Sequence, residues 1–192
     1  MLTCARDNVV AGCAIMAATI DFFTPNYCLR LMTPAMVTDR WVGWTADRSL
    51  MRKLNSRTLK LNKTDVQKYV ASAIAGHRAI VGIFRLVDGD HVGLYEIALD
   101  QRHRVATIDV LVDLRRHALH VVLSETDPVL LSGLKIRFNV EKAAALVPAT
   151  FVEAIRHFEE GWLKEGVLRA EYPAIEAGGR TDVVQFGKFL VA

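Results

Sequence analysis

Residues 150–169 read TFVEAIRHFEEGWLKEGVLR. Phe151, Ile155, Phe158 and Trp162 recur at helical spacing, so one face of this stretch is apolar. Thr150 followed by Glu153 has the form of a capping box, which predicts a helix start. Gly161 stands where a left-handed C-terminal cap is wanted. KEGVLRAEY then reads as extended, and TDVVQFGKFL forms a second extended run after Gly178 and Gly179. The chain therefore closes on a helix followed by a strand pair.

Outward from this stretch, elements follow one another at regular intervals. YCLRLM (27–32) reads as a short strand, and Pro34 opens a helical stretch through Trp41 and Trp44. TDVQKYVASAI (64–74) reads as a second helix. Residues 79–87, 91–99 and 105–112 are apolar, β-rich runs separated by Asp88-Gly89-Asp90 and by a polar link over 100–104. Asp127-Pro128 has the form of an N-cap with proline at the first helical position, so a helix is expected over 128–138. Residues 141–147 read as strand. The summed order predicts an α/β (α+β) chain with a mixed, mostly antiparallel central sheet flanked by helices.

Composition bounds the function. At 192 residues and 52% hydrophobic, the chain can bury one good core, so one domain over 25–192 is expected, preceded by an extension over 1–24. A net charge of +3 is too small to argue for nucleic acid. Cys4, Cys13 and Cys28 are odd in number and suit reduced thiols and a cytoplasmic setting. Neither a CxxC pair nor metal-ligand spacing is present, and no apolar run is long enough for a membrane helix. VVAGCAIMAATIDFF lacks the basic start and the small-residue cleavage site of a signal peptide. It reads as a packed helix, or as sequence upstream of a true start at Met16.

This order of elements resembles the GNAT fold, the Gcn5-related N-acetyltransferases, and within it the branch that acetylates ribosomal-protein alanine termini. LRLMTPAMVTDRW, GIFRLVDGDHVGLYEIALD, FVEAIRHFEEGWLKEGVLR and GRTDVVQFGKFL carry the resemblance, over residues 27–192. It implies an acyl-CoA-dependent N-acyltransferase with acetyl-CoA as its cofactor and a small-molecule or peptide amine as acceptor. A homodimer stays open, with neither nucleic acid nor membrane as partner. It also implies that Trp162 and Glu165-Gly166 mark the turn into a splayed final hairpin beside the cleft.

Site residues follow from the same resemblance. Acetyl-CoA would lie along the fourth family strand, at Val110, Leu111 and Val112. Its pyrophosphate would meet the loop before the next helix, where glycines let backbone N–H groups approach. Ungapped from Trp162, the loop's anchor falls on His117 and its two glycine positions on His120 and Val122. A histidine and a β-branched valine would crowd the phosphates. Leu119, Val121 and Leu123 alternate with His120, Val122 and Ser124, which predicts an extra strand here and a helix shortened to begin near Asp127. An interior proline would cost a longer helix roughly 3 kcal/mol.

The family's asparagine at the start of its fourth helix falls on Thr150, and its acid tyrosine falls on Phe158, which carries no proton. Arg115 and Arg116, with His117 and His120, form a basic cluster that either holds phosphates or is a solvated turn. Asp109 and Glu96 are candidate bases for an amine, although alternation with Ile108 and Val110 equally lets Asp109 face solvent. Trp41 and Trp44 are core or cleft wall, and Arg169 with Asp182 can pair across the last hairpin. The alternative function is a non-catalytic GNAT-fold module that has lost acetyl-CoA and binds another ligand or partner.

Overall fold

A computed structural model of the chain describes residues 21–76, 78–175 and 178–190. The expectations for the N-terminal segment, including a start at Met16, lie outside these residues, as do Cys4 and Cys13. Cys28 is a buried free thiol.

Alternating apolar residues build one eight-stranded sheet. Its strands are β1 (Asp21–Phe23), β2 (Tyr27–Leu31), β3 (Arg78–Arg85), β4 (His91–Asp100), β5 (Val105–Val112), β6 (Lys142–Pro148), β7 (Leu163–Pro173) and β8 (Arg180–Phe189). They lie in the order β1-β2-β3-β4-β5-β6-β8-β7. Every neighbouring pair is antiparallel except β5 and β6. This is the mixed, mostly antiparallel sheet the residue pattern predicts.

Helices cover both faces. On one lie α1 (Asp39–Thr45), α2 (Arg48–Lys53) and α3 (Lys63–Ala75), whose Trp44, Met51, Val66 and Val70 pack on Ile80 and Leu94. Local chemistry starts each of them. Thr38 accepts a bond from the Trp41 N–H, Asp47 accepts one from Leu50, and Asn62 with Asp65 forms a reciprocal capping box. The sequence pattern missed α2, which is only six residues long. A 3-10 turn at Pro34–Met36 precedes α1, so the expected long helix is two short pieces.

The other face carries α4 (Leu119–Phe138) and α5 (Val152–Glu159). Here two expectations fail. Residues 119–123 are not a strand and the helix does not start near Asp127: α4 runs unbroken through Pro128. The proline removes one N–H from the ladder and crowds the Ser124 carbonyl. Against that, Leu119, Val122, Leu123, Leu130, Leu131 and Leu134 are all buried, each worth roughly 1.5–3 kcal/mol. Their summed burial outweighs the proline several-fold. The i, i+3, i+4 spacing of Leu119, Val122 and Leu123 is helical, and the alternation is a coincidence of five residues.

Thr150 is not an N-cap. Its hydroxyl donates to the Lys53 carbonyl (2.9 Å), Glu153 pairs with the Lys53 ammonium, and the helix begins one residue later than expected, after Phe151. Gly161 is not left-handed either, because α5 ends on Glu160 in the right-handed region. The final hairpin is paired rather than splayed, with register shifts at Lys164/Gly166 and Leu168/Tyr172. Arg169 and Asp182 pair across it at 2.6 Å, as expected.

No helix of the described residues is long and apolar enough to cross a membrane.

The helical reading of 119–123 separates two neighbours. Val122 is 1% exposed and Val121 is 58% exposed. Val122→Ala should cost about 1–3 kcal/mol in urea unfolding, and Val121→Ala should stay within about 0.5 kcal/mol of wild type. A strand would put Val121 in the core with Leu119 and Leu123 and reverse the ranking.

Candidate functional site

The site begins where β5 and β6 stop pairing. Their parallel ladder holds only Val105–Thr107 against Lys142–Ala144. Beyond it β5 stays bonded to β4 as far as Val112, and β6 stays bonded to β8 as far as Pro148. Each strand is held on its outer side, so the two part, and backbone groups facing the gap have no ladder partner. Phe151 and Phe158 of the α5 segment sit beside the gap; the Phe158 ring packs edge-on against Trp162 with centroids 4.9 Å apart. Phe158 and Trp162 are an i, i+4 aromatic pair that braces the end of α5.

A cavity of about 510 Å³ occupies the gap and continues under α1–α3. Val110 and Leu111 line one side, Leu146 and Pro148 the other, and Trp41, Met51 and Val66 form the roof. Trp41 is therefore cleft wall, whereas Trp44 is fully buried core. Val112 is buried at the strand's end, away from the cavity.

Glu96 and Asp109 are direct cross-strand partners, so two carboxylates lie side by side on the cavity floor. Like charges at that spacing repel. Glu96 is compensated: one oxygen accepts from the Arg78 guanidinium and the other from the Tyr69 hydroxyl. Asp109 has no such partner. Water in the cavity reaches it, yet the walls thin its hydration. Burial first, and then the Glu96 charge, push its carboxyl up to about 6, while Arg78 offsets part of this. The Tyr69 phenol is pushed far above its ordinary value by burial and by Glu96, and Tyr172 on β7 is raised by burial and Asp109. Asp109 thus opens on the cleft, where its side chain is exposed to the water that fills it.

The loop from β5 to α4 carries the expected basic residues, and each has an acidic neighbour. Arg115 Nε lies 3.0 Å from Asp47, Arg116 Nη1 3.4 Å from Asp90, and His117 Nε2 4.0 Å from Asp90. His117 is largely buried and its imidazole is held below its usual value by that burial and by Arg85. Asp113 organises the turn. Its carbonyl accepts the N–H groups of Arg116 and His117 (both 3.0 Å), and its carboxylate accepts that of Arg115 (3.3 Å). Ala118 caps α4 without a side-chain bond, so the leading N–H groups of the helix stay open to solvent or ligand. Val122 points into the core and cannot crowd a ligand, contrary to expectation. His120 leans to Glu160, with its Nδ1 3.5 Å away.

The residue pattern pointed to Glu96 and Asp109 but missed what surrounds them. Arg78, Tyr69 and Tyr172 come from three separate elements, and no local spacing links them. It also missed a buried network in which Asp127 accepts from Tyr95 Oη (2.6 Å) and lies 2.8 Å from His157 Nε2. That network ties β4, α4 and α5 together and fixes the helix that carries Phe158. Among the described residues no cluster of His, Cys, Asp or Glu suits a metal ion.

Comparison with known proteins supports the architecture. No family model matches the sequence, and no curated protein matches it. Solved structures do match. The chain is similar to spermidine N-acetyltransferase from Vibrio cholerae in complex with CoA and spermine, with a TM-score of 0.72 at 16% identity over 85% of this chain and 95% of the other. It is similar to an acetyltransferase of the GNAT family from Bacillus anthracis (TM-score 0.71, 12% identity, 88% and 98% covered). It is also similar to the ribosomal-protein-S5-alanine acetyltransferase from Vibrio fischeri (TM-score 0.72, 10% identity, 88% and 96% covered). The chain has the GNAT acetyltransferase fold.

The raised Asp109 carboxyl has a stability signature. Its ordinary value is 3.8 and its value in the fold is about 6. Between these the native state binds more protons than the unfolded chain, so Asp109 makes stability fall as pH rises through that window. Asp109→Asn should therefore melt higher than wild type above about pH 6, and the difference should vanish below about pH 4. A melting difference independent of pH between 4 and 7 would show that Asp109 is not perturbed.

Proposed function

We propose that this chain is an acyl-CoA-dependent N-acyltransferase that transfers an acetyl group to an amine. The observation that carries the reading is the parted β5–β6 pair with the unpartnered Asp109 carboxylate on its floor. Fold likeness alone would not suffice, since one fold hosts many functions. The relatives of this shape named above are acetyltransferases, one of them in complex with CoA.

The residues present fit the cofactor. Unladdered backbone of Ile108–Leu111 and Leu146–Val147 can bond the amides of an extended arm. The open N–H groups at the start of α4 suit the pyrophosphate, where the helix dipole favours anions. Acyl-CoA, when bound, supplies an activated thioester. Asp109 takes a proton from the incoming ammonium, directly or through one water, because a carboxyl near 6 is a stronger base than an ordinary one. Glu96, held by Arg78 and Tyr69, positions that charge and keeps Asp109 raised. Phe158 offers a wall and no proton, so solvent serves the departing thiolate.

Thiol release from acetyl-CoA with a panel of amines tests the reading, beside calorimetry of acetyl-CoA binding. Wild-type kcat/KM should rise through about pH 6. Asp109→Asn should lower kcat by about 10²–10⁴-fold. Glu96→Gln should move the pH midpoint down, because the like charge that raises Asp109 is gone. No binding and no thiol release with any amine would favour the non-catalytic module instead.

A further inference from the structure

The chemistry of the cavity goes further than an amine in general. Its walls carry three charged side chains, Glu96, Asp109 and Arg57. Glu96 is already satisfied by Arg78 and Tyr69. The free negative charge is therefore a single carboxylate, and the guanidinium of Arg57 opposes any second cation. Two residues along the strands from the carboxylate pair, Leu94 faces Leu111 across the same ladder. That apolar floor is continuous with Asp109, and Trp41, Met51 and Val66 close over it.

We infer that the acceptor is a small monoamine with an apolar body of aromatic size, its ammonium at Asp109 and its carbon skeleton over Leu94 and Leu111. The inference rests on the acyltransfer reading. The ammonium loses one proton to Asp109 and thence to solvent. The nitrogen bonds the acyl carbon, the C–S bond breaks, and a second proton passes through water to the thiolate. A polyamine would have to bring its further ammonium groups over leucine, methionine and tryptophan or beside Arg57, with no carboxylate to receive them. A peptide terminus would carry its first amide groups over Leu94 and Leu111, whose side chains offer them no hydrogen bond.

The test compares kcat/KM for 2-phenylethylamine, spermidine and an alanine-initiated peptide with saturating acetyl-CoA. The monoamine should exceed each of the others by about 100-fold, the range that a matched apolar pocket achieves. Leu59 lines the cavity and is 46% exposed, so a charge there is tolerated by the fold. Leu59→Glu supplies the missing second carboxylate and should raise the spermidine value relative to the monoamine by about tenfold. If that variant fails to fold, the wild-type ranking still decides. Thiol release that favours spermidine or the peptide overturns the inference and leaves acyl transfer standing. No thiol release with any of the three overturns both.

Discussion

The molecule is organised around a sheet that comes apart in its middle. A parallel pair that stops after three residues leaves unpaired backbone groups within the sheet, which is costly unless water or a ligand reaches them. The arrangement holds because each strand is fastened elsewhere. β5 is laddered to β4 along its whole length, and β6 to β8. Phe151 and Phe158 stand beside the gap, and α5 is anchored in turn by the Asp127–His157 contact and by Trp162. The cavity is the space this parting opens, not a loop laid over a finished sheet.

A second consequence of the ladder is the carboxylate pair. Register alone sets Glu96 opposite Asp109, since β4 and β5 pair without a bulge from Gly93 to Asp100. One residue of slip would send Asp109 into the α4 face of the sheet. The repulsion is divided unequally: Arg78 and Tyr69 satisfy Glu96, and Asp109 bears the rest as a raised carboxyl. Environment thereby sets two like residues apart, one held by two partners and the other left with a raised carboxyl.

How much of this is legible in the residues depends on the range of the interaction. Strands β3 to β6 were readable because period-two alternation and turn residues are local. Asp109 and Glu96 stood out as acids inside apolar runs. The first turns of α4 were misread because five residues of alternation mimic a strand, and the evidence for helix lies in what Val122 and Leu123 pack against. Thr150 and Glu153 have the spelling of a capping box, but both bond Lys53, about a hundred residues away. Tertiary contact won over local preference at each of these positions. The partners of Glu96 come from β3 and α3, and nothing in the chain's spacing joins them.

The proposed phosphate loop shows the same point in reverse. Absent glycines suggested a blocked loop, because glycine usually supplies left-handed backbone or close approach. The first function is not needed here. No residue from 113 to 122 has positive φ, so the turn needs no glycine, and Asp113 holds its shape through three backbone N–H groups. Close approach is impeded at one of the two glycine positions only. Val122 turns into the core, while His120 extends towards Glu160 beside the start of α4. The electrostatics of this end are consequently set less by the helix dipole than by paired charges. Arg115 and Arg116 are engaged by Asp47 and Asp90, and an incoming phosphate must draw them from those carboxylates before they count in its favour. Were acyl-CoA to bind as proposed, its affinity at this end would rest on backbone N–H groups, with the basic residues around them contributing only what remains after that exchange.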